Sequence, residues 1–243
     1  MITKVLSVGG SIIAPEKPDV QFLAQFCSMI AQWLTENANA RLVLVAGGGG
    51  PARTWQKTHQ EVWCALPASK RDILAFSSQI EQDNECDKIG IAATRLNGQL
   101  LKSLFGSLCR QDVITDPTGQ VEFTGRVLVA AGWKPGFSTD TDAVILAERF
   151  GAECVVNLSN IDKVYTDDPK VNPAAKPIER ISWSEFRKIV GDEWTPGKNC
   201  PFDPVASAKA EGLSLKVICA NGKNIANTKA ILNGEDYEGT TIY

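Results

Sequence analysis

The sequence predicts an α/β protein built on a mainly parallel central sheet. Three observations carry that prediction. Short runs of valine, isoleucine and leucine recur along the chain, stretches with helical apolar spacing separate them, and glycine turns close several of the runs. With 243 residues the chain can bury a substantial core, and 44% hydrophobic with 22% charged residues is ordinary for a globular protein.

Each element has its own reason. "ITKVLSVGG" is β-branched and aliphatic and ends in Gly9 and Gly10, so it reads as a buried strand. A helix follows over 19–36, with Val20, Leu23, Phe26, Cys27, Ile30, Ala31 and Leu34 at helical spacing and Asp19, after Pro18, as its cap. "ARLVLVAGGGG" is a second buried strand closing in glycines, and a helix is expected from Pro51. Residues 69–105 read as helical with a break near Asp83 to Glu85. "DVITDPTGQVEFTG" holds weak strand and turn signals, and "RVLVAAGW" is a third buried strand. A polar loop leads into the helix "DTDAVILAERFG", with Gly151 as its stop. "ECVVNLSN" is a fourth strand. Residues 161–181 read as a hairpin with acidic and proline turns, then a short helix near 182–190 and a loop at 191–201. "DPVASAKAEG" is a helix, "LKVICA" a strand, 224–232 a last helix and "EGTTIY" a terminal strand.

Composition narrows the function classes. A formal net charge of −3 without a block of like charges argues against a nucleic-acid or anionic-membrane surface. No apolar run approaches the ~20 residues of a membrane span, and the first residues lack a signal-peptide pattern, so a cytoplasmic location is expected. The seven cysteines are scattered and never spaced as C-x-x-C, which argues for reduced thiols rather than a zinc site or a disulfide framework. The single histidine, His59, lies in a polar helical stretch and reads as a surface residue; one histidine also argues against a Ser-His-Asp triad.

Three glycine turns carry the chemistry: Gly9-Gly10-Ser11, Gly47 to Gly50, and "GWKPGFSTD" at 132–140. Without a Cβ, backbone N–H groups can converge, and converging N–H groups bind anions. In a parallel sheet all three turns fall at the carboxyl edge, where ligands bind. None matches G-x-x-x-x-G-K-[ST] or a dinucleotide fingerprint. At the third turn Ser138 and Thr139 can cap the next helix, with Asp142 as the acid of a capping box for Thr139. The other reading has these hydroxyls and helix N–H groups on a phosphate, with Asp140 near the transferring group. A carboxylate there repels phosphate unless it organises a magnesium ion or a basic side chain.

Several stretches resemble the amino acid kinase superfamily, and within it the archaeal-type uridylate kinases. They are "GGS" near the start, "VAGGGGPAR", "DKIGIAATRLN", "STDTDAVILAERFGAE", "NLSNIDKVYTDDPKVNPAAKPI", "DPVASAKAEGL" and "EGTTIY", in order over nearly the whole chain. The resemblance implies a three-layer αββα sandwich as one domain over 1–243, with an acceptor-side lobe of about 1–150 and an ATP-side lobe of about 151–243. It implies phosphoryl transfer from magnesium ATP to UMP and assembly as a homo-oligomer, a hexamer built from dimers. By the same resemblance Ser7, Val8, Gly9, Gly10 and Ser11 line the ATP phosphates, and Gly47 and Gly48 lie between donor and acceptor. Arg53 contacts phosphate, and Asp87 binds the UMP ribose. Trp133, Lys134, Pro135, Gly136, Phe137, Ser138 and Thr139 surround the UMP phosphate and base. Ser159, Asn160, Tyr165 and Asp168 form the nucleoside end of the ATP site, and Asp140, Arg53 and Ser11 are the candidate catalytic residues. The chemistry suits these roles, since an aspartate accepts from two ribose hydroxyls and an arginine forks onto phosphate.

The chain departs from the pattern at a few positions. Most of the superfamily has lysine where Ser7 stands, although the archaeal-type branch also departs there. Loss of one transition-state cation costs roughly a thousandfold or more in rate. Magnesium, Arg53, Lys134 or Lys198 are the candidates to replace it, with Lys163 a further one. Trp133 and Lys134 replace smaller or less basic residues, and Gly50 stands where relatives have a basic one. These departures leave two alternatives to UMP: another small phosphate or carboxylate acceptor, or a catalytically weak nucleotide- or anion-binding protein on the same scaffold.

Overall fold

Residues 1–191 and 200–243 are described by a computed structural model of the chain. Four buried parallel strands form one half of the main sheet: β1 (Ile2–Val8), β2 (Ala40–Ala46), β3 (Val127–Ala131) and β4 (Cys154–Ser159). Short strands β5 (Val164–Tyr165) and β6 (Pro177–Ile178) pair as a separate antiparallel hairpin. The main sheet is completed by β7 (Arg180–Ile181), β8 (Lys216–Asn221) and β9 (Thr240–Ile242), in the order β3-β2-β1-β4-β8-β9-β7. Only β9 against β8 is antiparallel within it.

Chain order leaves β1 toward β2 on one side, and β4 is its neighbour on the other. That reversal makes the β1/β4 edge a topological switch point, the usual position of a ligand crevice. Register then fixes what surrounds the crevice. Val8 lies opposite both Ala46 and Leu158, and Ala46 lies opposite Ala131. The segments after β1, β2, β3 and β4 therefore leave the sheet at one level.

Helices cover both faces. On one face lie α1 (Gly10–Ile13), α2 (Val20–Glu36) and α5 (Gln79–Phe105), with α3 (Gly49–Ala65) packed on α1 and α5, while α4 (Ala68–Leu74) buries none of its residues. On the other lie α6 (Thr139–Phe150), α7 (Trp183–Val190) and α8 (Pro204–Gly212), while α9 (Ile225–Asn233) returns beside α2. Alternate strand residues feed two cores: Leu6, Val8, Leu42 and Leu44 pack with Phe26, Ile30 and Trp33, whereas Val5, Val43 and Val45 pack with Val144, Phe186 and Phe202. Burial on both faces explains the continuous apolar runs in the sequence. Each fully buried valine or leucine contributes about 1.5–3 kcal/mol.

Several expectations need correction. The helical stretch at 69–105 breaks at 75–78, not near Asp83 to Glu85, and α5 runs through that acidic segment. Ser78 caps α5 by accepting from Glu81 N (3.2 Å), and the Glu81 carboxylate accepts from Ser77 N (2.7 Å). Charges at 83–85 do not break a helix when i,i+4 and i,i+3 partners such as Gln79–Asp83 and Lys88–Glu85 hold them. The helix expected from Pro51 starts at Gly49, and Pro51 sits in its first turn, where a missing N–H is harmless. Residues 112–125 form no named strand, only a bridge from Ile114 to Ala130. At α6 the cap is Ser138, not Thr139, and Asp142 closes no capping box; its carboxylate turns to another segment. Asp19 caps α2 as expected, accepting from Phe22 N at 3.0 Å, and Gly151 ends α6 with φ of 62°.

Candidate active site

The first two glycine turns are pressed together backbone to backbone. A Cβ on Gly10 would lie 1.9 Å from Gly49 N, and one on Gly47 would lie 2.4 Å from Gly10 N. Gly49 has φ of +70° and would carry its Cβ into Gly10 O at 2.3 Å. Only glycine satisfies both the contact and the left-handed backbone. Gly9 N donates to Leu158 O and Gly47 N donates to Val8 O, which ties both turns to the strand ends. Asn97, buried on α5, donates from Nδ2 to Gly47 O (2.8 Å) and Gly48 O (3.1 Å). With those carbonyls held, the amides of Gly10, Ser11, Gly48 and Gly49 are left without an acceptor among the described residues. Four unpaired amides at neighbouring turns are suited to an anion.

Asp140 stands beside this pair of turns, in the first turn of α6. Its Oδ1 accepts from Ser7 Oγ at 3.0 Å and its Oδ2 accepts from Asp203 N at 3.2 Å. The residue as a whole is half-buried, but its carboxylate sits between Ser7 and Asp203, which are 2% and 3% exposed. Burial first, and the Asp203 charge second, push its pKa up to about 6. Asp203 caps α8 through Oδ1, which accepts from Ala206 N (2.7 Å), while its buried Oδ2 has no hydrogen-bond partner among the described residues. Burial raises the Asp203 carboxyl as well. Two neighbouring carboxylates with one orphan oxygen call for positive charge.

The candidate cations fall in different places. Lys163 pairs with Glu179 at 3.2 Å, beyond β4. Arg53 is exposed on α3 and, among the described residues, reaches back to Pro15 O at 3.5 Å. Lys134 stacks its ammonium over Trp133 (3.9 Å) and Phe137 (4.9 Å) in the third turn. Lys198, together with the rest of 192–199, lies outside the described residues.

The third turn folds over α5. Trp133 and Phe137 contact each other with ring centroids 4.8 Å apart. Asp87 on α5 accepts from Gly136 N at 3.0 Å. It is half-buried, and that burial raises its carboxyl against the opposing effect of the Gly136 amide. Pro135 lines a recess with Lys88, Ile91, Ala92 and Arg95. Ser138 accepts from Thr141 N, and Thr139 opens α6 beside Asp140. Asp87, Gly47, Gly48 and residues 133–139 thus occupy one side of the Gly10–Gly49 contact.

On the other side lies the end of β4. Ser159 Oγ accepts from Ile161 N at 3.4 Å, and Asn160 is exposed beside it. Tyr165 sits in β5 opposite Pro177. Asp168 caps a local turn, accepting from Lys170 N at 2.9 Å. It lies in the hairpin loop, farther from the sheet edge in sequence than Ser159. Sequence reading missed four residues that shape the site: Asn97, Thr94, Arg95 and Asp203. The first three sit within "ATRLN", where helical spacing alone carries no sign of which backbone they grip.

This arrangement defines a class. Residues 3–221 match the model of the amino acid kinase family, and the chain belongs to that family. The chain is 32% identical over 247 residues to a uridylate kinase of Methanospirillum hungatei JF-1, covering 100% of this chain and 95% of that relative. It is 33% identical over 240 residues to a uridylate kinase of Hyperthermus butylicus, covering 96% and 94%. Among solved structures, the uridylate kinase from Archaeoglobus fulgidus superposes with a TM-score of 0.75 at 32% identity, over 100% of both chains. A UMP kinase structure from Bacillus anthracis shares the fold with a TM-score of 0.68 at 16% identity, covering 99% of this chain and 95% of that one.

Proposed function

We propose that this protein transfers the terminal phosphoryl group of ATP to UMP, giving ADP and UDP. One observation carries the reading: the Gly10–Gly49 contact joins two rows of unpaired amides at a single sheet edge, with Asp140 beside them. Phosphoryl transfer asks little covalent chemistry of a protein. It asks for alignment and for stabilisation of charge on the transferring group.

The donor phosphates lie along Ser7 to Ser11 and Gly48, with Arg53 swinging from Pro15 O onto phosphate. The nucleoside end of ATP lies toward Ser159, Asn160, Tyr165 and Asp168. UMP lies on the other side, over Gly47, with its ribose on Asp87 and its base and phosphate within 133–139. The amides of Gly10, Ser11, Gly48 and Gly49 hold the phosphoryl group between the two nucleotides. The half from β1 to β3 thus serves the acceptor and the half from β4 onward serves the donor nucleoside.

Magnesium fits the residues present. Asp140 and the unpartnered buried Oδ2 of Asp203 are hard oxygen donors. No group of three His, Cys, Asp or Glu side chains forms among the described residues. Magnesium is commonly bound through one or two carboxylates together with water and substrate phosphates, so this small donor set suits it. When bound it neutralises phosphate charge that a lysine at position 7 would otherwise meet. Ser7 orients Asp140 by its hydrogen bond. A cytoplasmic homo-oligomer, hexameric by family likeness, is the expected form; the exposed apolar side chains Trp55, Val62, Ile73, Leu74, Leu96 and Leu104 on α3, α4 and α5 are consistent with contacts between copies.

ADP release measured with magnesium ATP and a panel of UMP, CMP, AMP, small phosphates and small carboxylates tests the reading. UMP should be the preferred acceptor. Robust use of a non-nucleotide with none of UMP, or ATP binding without ADP from any acceptor, overturns it.

A further inference from the structure

The entry to the third turn is held peptide by peptide. Gly132 N donates to Thr94 Oγ1 at 2.8 Å, and Gly132 O accepts from Arg95 Nε at 3.2 Å. Trp133 N donates to Asp142 Oδ2 at 3.2 Å, and Trp133 O accepts from Arg95 Nη2 at 2.8 Å. Both ends of the Trp133 residue are therefore gripped by side chains, one from α6 and one from α5. Gly132 must lack a side chain for this, because a Cβ there would lie 2.9 Å from Thr94 Oγ1.

Asp142 is the unexpected member. It is 1% exposed, and its Oδ1 has no partner among the described residues. Helix capping does not account for it, since Ser138 caps α6. A carboxyl in an apolar interior is costly and is expected only where its hydrogen bond matters. Its hydrogen bond here goes to the backbone of the turn that carries Trp133, Lys134 and Phe137.

We propose that Asp142 and Arg95 are positioning residues for the acceptor loop, which hold the Trp133 backbone from opposite sides and so fix where the aromatic pair of Trp133 and Phe137 meets the acceptor. The inference rests on the acceptor-site reading above and adds two residues that act through the backbone of the acceptor loop. Arg95 grips two carbonyls with one planar guanidinium, which a lysine cannot reproduce. Asp142 needs only an acceptor toward Trp133 N, which an asparagine supplies at nearly the same volume.

The test combines steady-state kinetics with amide exchange of the segment 130–138 in the nucleotide-free protein. Asp142→Ala and Arg95→Ala should each raise KM for UMP about tenfold, the effect of losing a well-made hydrogen bond, while KM for ATP stays within twofold. Both should speed exchange of the segment. Asp142→Asn should restore KM and protection, and Arg95→Lys should restore them only in part. Arg95 is exposed, so its alanine variant decides the matter even if Asp142→Ala fails to fold. Unchanged KM for UMP in Arg95→Ala overturns the proposal, as does an equal rise for ATP. If the wild-type protein ignores UMP, the acceptor reading fails by itself. Amide exchange then still decides the loop: unchanged exchange in Arg95→Ala sinks the positioning role, and faster exchange upholds it.

Discussion

Replacing Gly10 with alanine perturbs the contact on which the site is built. The new methyl would lie 1.9 Å from Gly49 N, 2.5 Å from Gly49 Cα and 2.6 Å from Gly48 C. All three are backbone atoms of a turn held by Asn97, so no flexible side chain can move aside. Relief requires the two turns to part by well over an ångström. Ordinary overpacking of a core costs about 1–3 kcal/mol, and a clash against fixed backbone belongs at or above the top of that range. At roughly 2–4 °C per kcal/mol for a chain of this size, a loss of about 3 kcal/mol lowers Tm by roughly 6–12 °C. Gly212 is the internal control: a Cβ there meets nothing within 4 Å, and it stands in α8. Gly212→Ala should be neutral or stabilise by roughly 0.5–1 kcal/mol. Gly47→Ala disturbs the same contact from the other side, so the double variant with Gly10→Ala should cost less than the two single losses added. Urea unfolding at matched pH, with binding of a non-hydrolysable ATP analogue, reads the four variants against the wild type. Wild-type stability and ATP affinity in Gly10→Ala would refute the claim that the turns are interlocked.

Three further outcomes follow from the same geometry. Asp140→Asn should lose most turnover, on the order of a hundredfold or more, while ATP binding measured by titration calorimetry persists; near-normal turnover removes Asp140 from the chemistry. Asn97→Asp should destabilise more than Asn97→Ala in urea melts, because a carboxylate would face the Gly47 and Gly48 carbonyls that the amide now serves. An opposite ranking would show that the amide does not hold the turn. Asp87→Ala should raise KM for UMP by about tenfold or more with KM for ATP unchanged, read from initial rates at fixed partner substrate; a shift in both constants would move Asp87 out of the acceptor site.

Much of this fold can be read from the residues, for physical reasons that differ by element. Strands β1 to β4 and β8 announce themselves because both faces are buried, which forces unbroken aliphatic runs. Helix ends marked by a single residue, such as the side-chain oxygen of Asp19 at the start of α2 and the left-handed Gly151 at the end of α6, are local and therefore visible. The segment 69–105 was harder, since its break depends on Ser78 and Glu81 satisfying each other's turn, while the acidic stretch at 83–85 misleads by composition. At the site, the glycine turns were legible individually, but their mutual contact was not. It depends on β1 pairing with β2 in a register that puts Val8 opposite Ala46. Asp203 escaped notice for the same reason, since it lies 63 residues from the carboxylate it faces. Asp142 read as a capping acid because its spacing from Thr139 fits a capping box, whereas its carboxylate turns back to Trp133 N at the entry of the same loop.

A crystal structure with a non-hydrolysable ATP analogue, magnesium and UMP tests the central claim most directly. The β- and γ-phosphate oxygens should lie within hydrogen-bonding distance of the Gly10, Ser11, Gly48 and Gly49 amides, with the UMP phosphate facing them from the 133–139 side. Phosphates seated elsewhere, with those amides turned from the cleft, would contradict the account.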